Sequence, residues 1–176
     1  MRWFWIDRFT EFVSTQRATA VKCVSLSEPH VVDYVPGFPQ LSNAFVVEGI
    51  AQTGGLLVSQ SSDFLGRVVL AKIGKATFHQ PVLPGDRLTY HIELLSLHSD
   101  GAVVEGTCHA GDQLQAELEM TFACLDNRFG DIQLFEPAAF LRLLRSLQLF
   151  AVGRTPTGDS IAVPPHMLAA EAAASL

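Results

Sequence analysis

The chain has 176 residues, with 12 Lys and Arg against 18 Asp and Glu, 48% hydrophobic residues and a formal net charge of −6. That length favours one domain with an ordinary apolar core, and a charged share of 17%, under the about 25% of an average soluble domain, excludes wholesale disorder. Sparse, scattered basic residues argue against a nucleic-acid partner, because phosphates are held by Lys and Arg. No stretch reaches the roughly 18 apolar residues of a membrane span. The apolar run before Asp7 is too short for a signal-peptide core, so a cytoplasmic protein is expected. Cys23, Cys108 and Cys124 are odd in number and lack CxxC spacing, which indicates neither a disulfide framework nor a zinc site.

In chain order, the segment from Arg17 to Leu26 is an irregular strand candidate. It leads into a loop, Glu28 to Pro39, whose three prolines and Gly37 impose rigidity. From Asn43 to about Ser62 the pattern predicts a helix, opened by Ser42 or Asn43 as N-cap. Apolar residues occupy most of its circumference, as in a helix buried within a protein. Gly49, Gly54 and Gly55 each cost roughly 1 kcal/mol relative to Ala there, which suggests close approach by a neighbouring backbone.

A second irregular strand is expected from Val68 to Phe78, and Leu88, Tyr90, Ile92 and Leu94 give period two within Arg87 to Leu97. After a turn at Ser99-Asp100-Gly101, Ala102 to Cys108 continues the meander, and strict alternation from Gln113 to Cys124 marks a long strand with one wet face. These make a sheet of about five or six strands. One long buried helix wrapped by a curved antiparallel sheet is an α+β architecture of the hotdog kind. Residues 1–125 would form that domain and residues 126–176 a C-terminal extension. In the extension, Phe140, Leu143, Leu144, Leu147 and Phe150 predict one amphipathic helix over about 135–150, followed by a flexible tail.

Glu48 is the most informative residue. It lies one turn into the helix among Val46, Val47, Ile50 and Ala51, where an ionised carboxylate carries a large desolvation cost unless paired. The helix macrodipole favours the anion at that end. Gln52, one turn later, falls on the same face within hydrogen-bonding reach. Amides at the helix N-terminus are suited to polarising a thioester carbonyl, on whose oxygen charge develops when the adjacent carbon loses a proton. Six histidines without paired spacing give no metal site. Gly54-Gly55 lies inside the helix and forms no phosphate loop, so no cofactor is expected.

From Trp3 to Leu125 the chain resembles the hotdog 3-hydroxyacyl-acyl-carrier-protein dehydratases of the FabZ type. Trp5-Ile6-Asp7-Arg8 is similar to the family's apolar-Asp-Arg opening, and Glu28-Pro29 to its Glu-Pro. Tyr34-Val35-Pro36-Gly37-Phe38-Pro39 resembles its His-Phe-Pro-Gly-His-Pro, and Glu48-Gly49-Ile50-Ala51-Gln52 its Glu-Ala-Met-Ala-Gln. Pro81-Val82-Leu83-Pro84-Gly85-Asp86 resembles its Pro-Val-x-Pro-Gly-Asp turn. The resemblance implies a homodimer, or a higher oligomer of dimers, with an acyl tunnel at the subunit interface. It also implies an acyl carrier protein as partner and a catalytic Glu and His from opposite subunits.

Glu48 takes the position of that Glu, whereas Tyr34 stands in place of the His. A phenol titrating near 10 is a poor base at neutral pH but a competent hydrogen-bond donor. The family's Met-Pro-Gly at the start of the helix reads Leu41-Ser42-Asn43. Gly37, Phe38, Asn43, Gln52 and His79 are the implied substrate-binding positions, and Arg67, Lys72 and Lys75 a basic patch for the carrier protein. The expected activity is a dehydratase with Glu48 as acid/base group. A catalytically weak carrier-binding or partner subunit and a hotdog acyl thioesterase, with Glu48 activating water, are the alternatives.

Overall fold

The computed structural model describes residues 4–32, 37–125 and 134–174. In chain order they form β1 (Arg8–Val13), β2 (Arg17–Cys23), α1 (Pro29–Val32), α2 (Asn43–Gln60), β3 (Arg67–Phe78), β4 (Arg87–Leu97), β5 (Gly101–Ala110) and β6 (Gln113–Leu125). The C-terminal part adds α3 (Pro137–Ser146), α4 (Leu149–Val152), β7 (Gly153–Arg154) and α5 (Pro165–Ala173).

Ser42 sets the start of α2: its backbone is extended and its Oγ accepts the Ala44 N–H at 3.3 Å, satisfying one of the donors a helix start leaves open. The helix then buries Val46, Ile50, Leu57 and Val58. Against it lie the inward positions of the alternating strands: Leu88, Tyr90 and Ile92 of β4, Val104 and Cys108 of β5, and Leu118, Met120 and Phe122 of β6. The close approaches to its glycines come from side chains, Tyr90, Phe122 and Val104, and not from a backbone. Gly49 meets the Tyr90 ring, and a β-carbon added at Gly54 or Gly55 would stand 3.3 Å from the Phe122 ring.

The sheet has seven strands in the order β3-β6-β5-β4-β2-β1-β7, more than the five or six expected. All pairs are antiparallel except β1 with β7. β1 escapes a period-two reading because a bulge between Phe9 and Glu11 places its buried Phe9 and Phe12 three residues apart. Two further shifts in β3, at Leu70/Lys72 and Ile73/Lys75, account for its irregular alternation.

The helix predicted over 135–150 is broken. Glu136 caps α3 by accepting the Ala138 and Ala139 N–H groups at 2.9 and 2.6 Å, bonds that hold its carboxyl below the usual carboxylate range. α3 stops at Ser146 because Gln148 adopts a left-handed backbone (φ 59°), and the Leu147 carbonyl is taken by the Phe9 N–H at 2.8 Å. The segment read as a flexible tail supplies β7 alongside β1, and then α5, where Met167 is buried and Glu171 pairs with Arg145. Phe140, Leu141, Leu144, Leu149, Ile161 and Met167 join the same apolar core as α2 and the sheet.

Candidate active site

The first turns of α2 bring Glu48 and Gln52 onto one face, four residues apart. Gln52 Nε2 donates to Glu48 Oε1 at 2.7 Å. Its other amide atom is committed as well: Oε1 accepts the Trp5 N–H at 2.7 Å and, more weakly, the Ile6 N–H at 3.4 Å. A backbone N–H can only donate, so these bonds fix which end of the amide faces the carboxylate. Glu48 is half-buried, and the charge-assisted bond from Gln52 offsets its desolvation.

Trp5 is itself held. Its indole Nε1 donates to the Tyr90 hydroxyl at 3.1 Å, its ring stacks on Phe45 at 5.0 Å, and Lys22 Nζ stands 4.7 Å over it. Lys22 also pairs with Glu28 at 2.9 Å and Asp7 at 3.7 Å, while Asp7 Oδ2 accepts the Cys23 N–H at 2.7 Å. The Asp of the opening motif and the Glu of Glu28-Pro29 therefore brace the segment before β1 that carries Trp5. Burial pushes the Tyr90 phenol well above its ordinary value, so it remains a neutral partner for the indole.

Glu48 and Gln52 border a cavity of about 330 Å³. Its other walls come from Leu56 and Ser59 on α2, Val68 and Leu70 on β3, Phe122 on β6, and Phe4, Phe135 and Phe140. A polar pair at one margin of a largely apolar hollow suits a substrate with a reactive head and a hydrocarbon tail.

The remaining predicted positions distribute differently. Asn43 and His79 line a separate hollow of about 260 Å³ with Gln40, Leu41 and Phe78, and this hollow shares no lining residue with the Glu48 cavity. His79 Nε2 lies 3.0 Å from Glu117 Oε2 at the surface. Gly37 (φ 77°) and Phe38 (52% exposed) border neither hollow. Tyr34 lies outside the described residues. Arg67, Lys72 and Lys75 string out along β3, opposite Leu125, Thr121 and Glu119, with both lysines exposed. Among the described residues no group of three His, Cys, Asp or Glu side chains is placed to hold a metal.

Sequence reasoning did not single out Phe4, Phe122, Phe135 or Phe140 as cavity walls. Their aromatic character was visible, but their convergence from three parts of the chain was not.

The FabA-like domain model matches residues 3–118, a span that includes the helix bearing Glu48 and five of the seven strands whole. The chain belongs to the FabA-like domain family. Within that family it is 38% identical to the 3-hydroxyacyl-[acyl-carrier-protein] dehydratase FabZ of Symbiobacterium thermophilum over 122 residues, 69% of this chain and 86% of that protein. The FabZ of Pelotomaculum thermopropionicum is 32% identical over 119 residues, 67% of this chain and 85% of its own length. Among solved structures, the dehydratase heterocomplex ApeI:P from Xenorhabdus doucetiae superposes with a TM-score of 0.59 at 15% identity. It covers 71% of this chain and 85% of that one, a likeness of fold. This member of the FabA-like family thus has the hotdog architecture that its alternating strands and buried helix predict, and its extension lies beyond the family match.

Proposed function

We propose that the chain is a FabZ-like 3-hydroxyacyl-acyl-carrier-protein dehydratase with Glu48 as its acid/base group. The observation that carries this reading is the fixed Trp5–Gln52–Glu48 chain of hydrogen bonds at the margin of an apolar cavity. Gln52 occupies Oε1, and Oε2 takes no bond from a described residue, which leaves it for substrate. The carboxylate accepts the C2 proton of a 3-hydroxyacyl thioester. As the carboxylic acid it returns that proton to the hydroxyl on C3. The C2–H and C3–O bonds break, the C2–C3 double bond forms, and water leaves. Tyr34 acts as a hydrogen-bond donor to the thioester carbonyl or the leaving hydroxyl, in the place the family gives to His.

Two features support a dimer working on a protein-borne substrate. β3 is a terminal strand of the sheet and exposes Leu70, Ile73 and Phe78, so a second copy pairing there would cover both an open edge and an apolar strip. Lys72 and Lys75 on the same strand would attract an acidic carrier protein despite the net charge of −6. No helix among the described residues is long and apolar enough to cross a membrane, and the reading places the enzyme in the cytoplasm.

The test is interconversion of 3-hydroxyacyl and trans-2-enoyl carrier-protein thioesters by the purified protein. Glu48→Gln should lose turnover by about 10²- to 10⁴-fold, the usual worth of a general acid/base. Unaltered turnover in that variant, or none in the wild type across chain lengths, would overturn the reading.

A further inference from the structure

The family match ends at residue 118, yet the cavity beside Glu48 is partly walled by the extension beyond it, through Phe135 and Phe140. The α2 residues along the cavity, from Glu48 through Gln52 and Leu56 to Ser59, occupy successive turns. That run is roughly 16 Å long at the rise of an α-helix. The polar pair stands at its N-terminal end. The two phenylalanines belong to an aromatic group at the other end: Phe135 stacks on Phe140 with centroids 4.2 Å apart and planes 10° from parallel. Phe140 and Phe64, the latter just past the end of α2, form a T-shaped pair with centroids 5.7 Å apart, and Phe150 stands 6.3 Å from Phe64.

Phe64 fixes this group in place. It follows α2 in a left-handed backbone conformation (φ 60°), after Asp63 at φ 51°, which is costly for a bulky residue and persists where packing over-determines it. The packing comes from α3 and α4. Those helices are in turn tied to the sheet by the Phe9–Leu147 backbone bond and by β7.

We propose that Phe135 and Phe140 form the end wall of the acyl pocket, so that the C-terminal extension sets the length of acyl chain the enzyme accepts. The inference rests on the dehydratase reading for the identity of the ligand as an acyl chain. Its geometry is independent of the chemistry at Glu48. An acyl chain lying along α2 from the carboxylate meets the stacked rings after about three turns and stops there. Removing one ring lengthens the pocket and permits burial of further methylenes, each worth about fourfold in binding.

Phe135→Ala is the principal variant, because Phe135 is only half-buried; Phe140→Leu is the second, because Phe140 belongs to the core. Each is compared with the wild type in two ways: kcat/KM for four-, eight- and twelve-carbon enoyl thioesters, and calorimetric affinity for alkyl coenzyme A thioethers of the same lengths, which cannot react. The long-to-short ratio should rise tenfold or more in both measurements. Rising thioether ratios without turnover in any protein would uphold the pocket wall and discard the dehydratase reading. Unchanged ratios in folded variants, or no thioether binding to any of them, would overturn the proposal.

Discussion

Gly49 packs against the Tyr90 ring, and a β-carbon at residue 49 would overlap that ring's Cζ and Cε2. The contact positions α2 over β4 immediately beside Glu48, and it joins the Tyr90–Trp5 hydrogen bond into one support. Both ring atoms belong to a fully buried side chain with no space to retreat. Gly49→Ala should therefore destabilise the protein by about 1–3 kcal/mol, although Ala is the better helix former. A fall in the urea midpoint at unchanged slope would register this; an unchanged or higher midpoint would show that the ring can move aside.

Gln52 holds Glu48 through a 2.7 Å hydrogen bond, so under the proposed mechanism its loss should affect rate more than substrate affinity. For Gln52→Ala we expect kcat to drop roughly tenfold to a hundredfold, the scale of a small misplacement of a reacting group, with KM nearly constant. Steady-state kinetics separate the two quantities. A rise in KM alone would assign Gln52 to substrate binding.

Lys22 is a bracing residue. With its side chain 12% exposed, it lies over Trp5 and between Glu28 and Asp7. Lys22→Met keeps much of the hydrocarbon but removes the charge, leaving two carboxylates with their backbone N–H bonds but without their cation. A loss of about 1–3 kcal/mol is expected, read by thermal or urea unfolding, with kcat/KM of the folded enzyme unchanged. Lost activity at full stability would give this cluster a catalytic part instead.

The outer face of the sheet carries an acid-sensitive group. Burial, and then the neighbouring His109 at a ring separation of 5.5 Å, lower the His91 imidazole below its ordinary 6.5, and Glu11 opposes them only in part. Its Nδ1 is 3.2 Å from the Thr19 hydroxyl. Because the folded state resists a proton that the unfolded chain accepts, His91 costs nothing well above pH 6.5. It takes away stability as the pH falls through 6.5 toward the lowered folded value. Urea midpoints measured at about pH 8 and about pH 5.5 should differ less in His91→Gln than in the wild type. An equal difference would place the acid sensitivity elsewhere.

The sequence by itself determined the regular parts. Alternation in Leu88 to Leu94 and Gln113 to Cys124 specified β4 and β6, the capped apolar run from Ser42 specified α2, and the family motifs placed Glu48 at its first turns. These features are local: side-chain period and capping are set by residues a few positions apart. They are legible without knowing where the chain goes next.

Only the tertiary structure decided the rest. The bulge in β1 masks a strand whose two buried phenylalanines are out of step, and the left-handed Gln148 divides a helix that its own periodicity would continue. The orientation of Gln52 depends on Trp5, 47 positions away, and part of the cavity wall depends on phenylalanines from beyond the family match meeting the turn after α2. Such meetings depend on where packing brings distant segments, and the free energy that selects them is shared by the whole core, so no short window of sequence contains it.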